Sequence, residues 1–100
     1  MIFFEWDKTK AESNERKHGV TFEDAMSVFD DPYAILEQDR IVDGEARWIA
    51  LGIVDDESVV VVAHSIQETE ADETVRIISA RHANRQERRR YGKNRTKNAG

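Results

Sequence analysis

The first third of the chain is predicted to form two helices, a mostly polar one marked by its caps and a second with a hydrophobic helical period from Phe22. Asp7 can accept hydrogen bonds from the first amides of a helix, and Gly19 suits the left-handed cap that ends one. These two signals predict a first helix from Lys8 to Lys17. Apolar residues then recur at i, i+3, i+4 and i+7 from Phe22, directly after a box-like Thr21 cap, which predicts a second helix. That helix must end by Asp31, because the residue before a proline is pushed out of the helical region.

The pattern becomes extended from Tyr33 onward. Four segments separated by turns rich in Asp, Gly and Glu are predicted to form an antiparallel meander; they are residues 33–38, 47–54, 58–66 and 74–80. The run from Val59 to Ala63 is apolar at every position, which is typical of a central strand covered on both faces. The apolar run Ile2–Trp6 could add a short extra strand at the N-terminus.

The C-terminal segment predicts a third helix and a tail. Asn84 followed by Glu87 is a second box-like start, for a helix from Arg85 to Tyr91. Beyond Gly92 no apolar side chain is available for packing except that of Ala99, so residues 92–100 are expected to form a frayed, flexible basic tail. The predicted fold is therefore α+β, with two N-terminal helices, a sheet of about four antiparallel strands and an arginine-rich C-terminal helix. One domain is expected over residues 1–91.

Charge is distributed very unevenly along the 100 residues, whose net charge is −5. From residue 75 onward nine cations accompany a single acid, Glu87, for a net charge of +8, and the preceding residues sum to −13. A positive segment beside a negative body indicates an anionic ligand such as nucleic acid.

Composition also excludes several classes of protein. The absence of cysteine excludes disulfides, a thiolate nucleophile and a Cys-based zinc site, and the three widely separated histidines argue against a metal site. No apolar run approaches the length of a membrane span, and the first residues do not resemble a signal peptide. A cytoplasmic protein with no membrane partner and no cofactor is expected.

Several motifs follow one another in a specific order along the chain. They are Phe4-Glu5-Trp6-Asp7, Asn14 with Lys17-His18-Gly19-Val20 and Phe22, Glu45-Ala46-Arg47-Trp48, and Arg76-Ile77-Ile78-Ser79-Ala80-Arg81 with Ala83 and Arg85-Gln86-Glu87-Arg88. Together these motifs resemble the BrnT family of bacterial type II toxins. The resemblance covers roughly residues 3–91. It implies a small ribonuclease of the RelE-like fold that lacks a metal cofactor and inhibits translation by cutting RNA. It also implies a BrnA-like, ribbon-helix-helix antitoxin that neutralises the toxin, and contact with operator DNA through that complex.

Residue chemistry indicates which groups could cleave RNA. The planar guanidinium of arginine binds two phosphate oxygens and keeps its charge, so Arg76 and Arg81 are predicted phosphate clamps, with Arg47 as a third candidate. Histidine suits proton transfer near neutral pH, which makes His64 a candidate general acid or base. The alternative for His64 is an ordinary buried or edge histidine bonded to backbone, because it shares the parity of Val60 and Val62.

Further residues are candidates for RNA contact rather than chemistry. Lys17, His82, Arg85 and Arg88 are predicted to bind RNA, although a lysine in a last helical turn and arginines on a solvated helix face have ordinary structural explanations. Trp6 and Trp48 could stack on unpaired bases or belong to the core.

Two other functions remain compatible with the sequence. One is a non-catalytic nucleic-acid-binding component of a repressor complex. The other treats the basic segment as a docking surface for an acidic antitoxin segment, which can coexist with nuclease activity.

Overall fold

A five-stranded sheet with helices on both faces forms the molecule. The computed structural model describes residues 1–99. In chain order the elements are β1 (Ile2–Glu5), α1 (Lys8–His18), α2 (Phe22–Met26), a 3₁₀ turn (Ser27–Asp30), β2 (Ile35–Val42), β3 (Glu45–Val54), β4 (Ser58–Glu68), β5 (Glu73–His82) and α3 (Arg85–Ala99). The strand order is β1-β5-β4-β3-β2, and the predicted α+β class is confirmed. Strands β2 to β5 form the antiparallel meander, and β1 adds the fifth strand by pairing parallel to β5.

Local capping signals explain where the helices begin and end. The Asp7 carboxylate accepts from the Lys10 amide at 3.0 Å, and Gly19 closes α1 with a left-handed φ of 71°. Thr21 Oγ1 accepts from the Asp24 amide at 3.0 Å at the start of α2. At Asn84 the capping box is reciprocal, since the Glu87 amide donates to Asn84 Oδ1 and the Asn84 amide donates to Glu87 Oε1, both at 2.8 Å.

Side-chain alternation along the strands divides the core between two faces. The first face packs against α1 and α2 and carries Val60 and Val62 of the central strand β4. The second face carries Val61 and packs against Tyr91 of α3. The fully apolar run in β4 is therefore explained as predicted, because helices cover both faces of this strand.

Asp31 ties three parts of the chain together. One oxygen, Oδ1, accepts from the Tyr33 amide at 2.8 Å; the other, Oδ2, accepts from the Ile53 amide at 2.9 Å and from the Tyr91 hydroxyl at 2.6 Å. Burial by itself raises the pKa of this carboxyl, but the hydrogen bonds, that of Tyr91 foremost, outweigh burial and leave the pKa below its ordinary value. The 3₁₀ turn approaches β3 closely beside Asp31, where a Cβ on Gly52 would lie 2.8 Å from Val28 Cγ1.

The predicted end of the last helix is wrong. Helix α3 does not stop at Tyr91 but continues to Ala99, and Gly92 has no left-handed φ that would terminate it. The extra turns are held by tertiary contacts: Asn94 Nδ2 donates to the Tyr33 carbonyl at 2.9 Å, and the Arg95 guanidinium lies 5.9 Å from the centre of the Tyr33 ring. The last residue of the predicted tail, Gly100, lies outside the described residues. None of the helices over residues 1–99 is long and apolar enough to cross a membrane.

Candidate active site

A row of polar side chains crosses three strands on the second face of the sheet. Ser65 of β4 is the register partner of Arg76 of β5. Trp48 of β3 pairs with His64, so continuing that register places Arg47 opposite Ser65. Arg47, Ser65 and Arg76 therefore lie side by side on one face.

An open cleft of about 270 Å³ lies at this row. Its lining residues are Glu5, Glu45, Ser65, Ile66, Gln67, Thr74 and Arg76. Two carboxylates flank the cations: Glu5 Oε1 lies 3.8 Å from Arg76 Nη1, and Glu45 Oε1 lies 3.4 Å from Arg47 Nη2. The cleft thus combines groups that attract an anion with groups that can accept a proton. We call it the Arg47–Arg76 cleft after the arginines on the two strands that flank Ser65; Arg76 lines the cleft, whereas Arg47 lies beside Ser65 and is not among the lining residues.

Arg47 retains unused hydrogen-bonding capacity. Its Nε is buried and has no hydrogen-bond partner among residues 1–99, and only 26% of its side chain is exposed. A buried donor without a partner is costly, which is why most such groups in folded proteins are paired. The guanidinium of Arg47 approaches the cleft through Glu45, a lining residue whose Oε1 lies 3.4 Å from Nη2.

Arg81 faces the same side as Arg76 but does not line the same cleft. It is the register partner of Val61, which belongs to the second face, and five residues of extended chain, roughly 16 Å, separate it from Arg76. Its Nη1 and Nη2 donate to the two oxygens of Glu87 at 2.8 and 2.9 Å. This bidentate pair raises the pKa of Arg81 and, as the largest cause, lowers the pKa of Glu87. In the structure Arg81 therefore holds the start of α3 rather than an open position for phosphate.

His64 lies on the opposite face from the arginines. It is fully buried, its ring meets Phe29 edge to face at 4.8 Å, and Nδ1 lies 3.1 Å from the Val62 carbonyl oxygen. Its Nε2 has no hydrogen-bond partner among residues 1–99. Burial lowers the pKa of His64, so the neutral imidazole is favoured. The structure has the buried, backbone-bonded arrangement, and the sheet separates this imidazole from the Arg47–Arg76 cleft.

The four predicted RNA-contacting residues are divided between the two sides of the sheet. Lys17 is exposed at the end of α1, and His82 lines a small cavity with Gly19 and Val20, both on the side of the first face. Arg85 and Arg88 lie on α3, over the second face. Arg85 is exposed, whereas Arg88 Nη1 donates to the Ala83 carbonyl at 2.8 Å.

Both predicted stacking tryptophans lie towards the first face rather than in the cleft. Trp6 packs edge to face on Phe22 with ring centres 5.9 Å apart, and Trp48 is the register partner of buried His64. Trp6 is thus a partly buried neighbour of the core.

Sequence reasoning did not include the two carboxylates of the cleft. Glu5 reaches Arg76 only because β1 pairs in parallel with β5, where the two residues are register partners. No local pattern specifies that pairing. Glu45 could have been found, since it follows the Asp43-Gly44 turn and shares the strand parity of Arg47.

Comparison with known proteins defines the class of protein that carries this fold and cleft. Residues 6–87 match the family model described as a ribonuclease toxin, BrnT, of a type II toxin-antitoxin system. The chain belongs to the BrnT family. The 1.1 Å crystal structure of the Brucella abortus ribonuclease toxin BrnT is similar, with a TM-score of 0.64 and 26% sequence identity, over 85% of this chain and 99% of that one. No match was found among curated proteins.

Proposed function

We propose that this protein is an endoribonuclease toxin that cleaves RNA by metal-independent transesterification in the Arg47–Arg76 cleft. The observation that carries the proposal is an open cleft lined by Ser65, Arg76 and two carboxylates, Glu5 and Glu45, with Arg47 beside Ser65 on the neighbouring strand. Membership of a ribonuclease toxin family supports the class of reaction.

The reaction uses the 2′-hydroxyl of the RNA as its nucleophile. A carboxylate of the cleft, Glu5 or Glu45, takes the 2′-hydroxyl proton as the 2′ oxygen attacks phosphorus. The bond to the 5′ oxygen breaks, and water in the open cleft protonates the departing oxygen. The products are a 2′,3′-cyclic phosphate and a 5′-hydroxyl end.

The arginines contribute electrostatic stabilisation. The phosphate accumulates negative charge in the transition state. Arg47 and Arg76 lie on the two strands that flank Ser65, where their positive charges stabilise it. Arg76, whose side chain is about half exposed, donates to a non-bridging oxygen. Arg81 is given no part in the chemistry, since it fixes the start of α3 through Glu87.

The biological consequence proposed is inhibition of translation through loss of RNA. A BrnA-like antitoxin of the ribbon-helix-helix class would neutralise the toxin, and the description of the family as type II supports a protein antitoxin. Mixing the toxin with such an antitoxin should give a complex that no longer cuts RNA.

The decisive experiment incubates the purified protein with RNA in excess chelator. Wild-type protein is expected to yield 2′,3′-cyclic phosphate ends, and Arg47→Ala or Arg76→Ala should slow cleavage by roughly 10²-fold or more. Arg16→Ala is the matched control, because Arg16 is an exposed arginine of α1, which packs on the first face of the sheet, opposite the cleft. RNA that stays intact while bound would instead support the non-catalytic nucleic-acid-binding component.

A further inference from the structure

Helix α3 carries four cations at every fourth residue, Arg85, Arg89, Lys93 and Lys97, here called the outer row. All four side chains are exposed. At 3.6 residues per turn the row is centred on the side of the helix opposite the buried Tyr91. Over residues 1–99 none of the four side chains forms a hydrogen bond or ion pair.

The remaining cations of the helix are used within the protein. Arg88 donates to the Ala83 carbonyl, Arg90 Nη2 lies 2.9 Å from Glu37 Oε2, and Arg95 lies over the Tyr33 ring. The three consecutive arginines 88–90 therefore point in different directions, and of these three only Arg89 points away from the sheet. The inward cations stabilise the docking of the helix, while the outer row stays unneutralised.

Helix stability does not explain the outer row. Like charges four residues apart repel and destabilise a helix, and the row contains three such pairs. The helix dipole favours cations only near the C-terminus, which accounts for Lys97 but disfavours Arg85 in the first turn. A row that weakens its own helix is better explained by a ligand.

Spacing and polarity indicate the kind of ligand. Successive members of the row are separated by ~6 Å along the helix axis, because the helix rises 1.5 Å per residue. Consecutive phosphates of a nucleic-acid strand have a similar separation. The residues that lie between these cations on the outer side, Gln86, Gly92 and Thr96, provide no apolar centre of the kind that protein interfaces contain. A polyanion therefore fits the outer row better than a protein.

The outer row also lies on the correct side of the molecule for a substrate. Helix α3 packs on the second face of the sheet, the face that carries the Arg47–Arg76 cleft. Three of the four cations lie beyond residue 87, where the match to the family model ends.

We propose that the outer row binds the phosphate backbone of single-stranded RNA and holds the strand whose scissile bond lies in the Arg47–Arg76 cleft. This inference rests on the proposed function for the identity of the strand as substrate. It assigns α3 a role in substrate affinity that is separate from the chemistry of the cleft.

The test compares two variants that lose equal charge. The row variant combines Arg85→Gln, Arg89→Gln, Lys93→Gln and Lys97→Gln. The control variant combines Lys8→Gln, Lys10→Gln, Arg16→Gln and Arg40→Gln, whose side chains are exposed on α1 and β2. Glutamine retains helix propensity, and circular dichroism verifies that both variants keep the native helix content.

Binding is measured with a single-stranded oligoribonucleotide whose 2′-hydroxyls are methylated, so that it cannot be cleaved by transesterification. Each phosphate contact to a single strand contributes about 0.7 to the slope of log affinity against log salt. Loss of four contacts should therefore reduce that slope by about 3 and lower affinity at least about tenfold at low salt. The control variant should change the slope by less than about 1.

The outcomes separate this inference from the proposed function. Equal slopes for the row and control variants would contradict the proposal that the outer row binds the RNA backbone, whether or not the wild type cleaves RNA. Loss of binding to poly-glutamate with unchanged RNA binding would assign the row to an acidic protein partner and overturn the proposal as well. With cleavable RNA, the row variant should show a raised KM and an unchanged kcat, as expected for uniform binding. If the wild type never cuts RNA but the row variant shows the expected loss of slope, the nuclease proposal is wrong and the outer row remains a nucleic-acid-binding element.

Discussion

The side chain of Asn14 makes both hydrogen bonds with Ala80 that a neighbouring strand would make. Asn14 Nδ2 donates to the Ala80 carbonyl at 2.8 Å, and the Ala80 amide donates to Asn14 Oδ1 at 3.1 Å. The pairing of β1 with β5 ends at Glu5 and Arg76, so the outer edge of β5 would otherwise be unpaired at Ala80. A third bond, from Nδ2 to the Val20 carbonyl at 3.1 Å, joins the loop after α1 to the same amide.

Replacing Asn14 with alanine should destabilise the protein by about 2–4 kcal/mol, because it leaves a buried N–H and a buried C=O of Ala80 without partners. Urea denaturation measures the free energy of unfolding. Asn98→Ala is the matched control, since within residues 1–99 this exposed amide bonds only to Asn94, and it should change stability by less than about 0.5 kcal/mol. Equal losses in the two variants would contradict the role assigned to Asn14.

The Glu87 carboxylate should make stability depend on acid pH. Its pKa is held below the ordinary 4.5, first by the hydrogen bond from Arg81. A group whose pKa is depressed in the folded state stabilises the protein above its unfolded pKa, and this stabilisation is lost as pH falls through the folded value. The free energy of unfolding should therefore decrease below about pH 4.5.

Glu87→Gln should remove part of that acid dependence and cost about 1–2 kcal/mol at neutral pH, since it weakens both the capping box and the Arg81 pair. Thermal unfolding at a series of pH values measures both effects. Glu12→Gln, on the exposed side of α1, is the control and should leave the profile unchanged. The prediction fails if wild type and Glu87→Gln show the same slope between pH 5 and 3.

The Tyr91 hydroxyl should ionise only at high pH. Burial, together with the hydrogen bond to Asp31, raises its pKa to about 12 from an ordinary value of 10.0. Because the folded state favours the neutral phenol, its stabilising contribution is present below pH 10 and is lost as pH rises towards 12. Ultraviolet absorbance titration of the folded protein should show an ionisation step near pH 12, and this step should be absent in Tyr91→Phe.

Tyr91→Phe should also cost about 1.5–3 kcal/mol, the value for a hydrogen bond to a charged group. Tyr33→Phe is the control, because Tyr33 contacts α3 through its backbone carbonyl and its ring. Similar losses from both substitutions would show that the hydroxyl bond to Asp31 is not the cause.

Substitution of His64 should have little effect on RNA cleavage, whereas substitution of a cleft carboxylate should slow it strongly. His64→Leu places an apolar side chain beside Phe29 on the first face and should leave cleavage within a fewfold of wild type, because the sheet separates this position from the arginines. Glu5→Gln or Glu45→Gln should slow cleavage by roughly 10²-fold or more if that carboxylate accepts the 2′-hydroxyl proton. Full activity in both glutamine variants would remove the carboxylates from the mechanism, and inactivity of a folded His64→Leu would restore His64 as a catalytic candidate.

Features specified by neighbouring residues were predictable from the sequence. Asp7, Thr21, Gly19 and Asn84 act as caps within three or four residues of themselves, so their roles needed no knowledge of the sheet. Strand parity likewise placed His64 with Val60 and Val62.

Features that depend on contacts distant in sequence were not predictable. Parity alone did not reveal which face α1 and α2 would cover, and that choice buried His64. The parallel pairing of β1 with β5 brought Glu5 to Arg76. The continuation of α3 past Gly92 depends on Tyr33, about sixty residues away in the chain. These three differences explain why the fold was predicted more completely than the candidate site.

The triple acceptance by Asp31 has a consequence for ligand recognition. One carboxylate holds β3, the entrance to β2 and the middle of α3, so the cationic helix and the cleft keep a constant mutual orientation before any polyanion arrives. A preformed surface loses little conformational entropy on association, and less of the interaction energy is then spent on ordering the protein. Loosening this junction should accordingly slow capture of a strand even where every guanidinium remains in place.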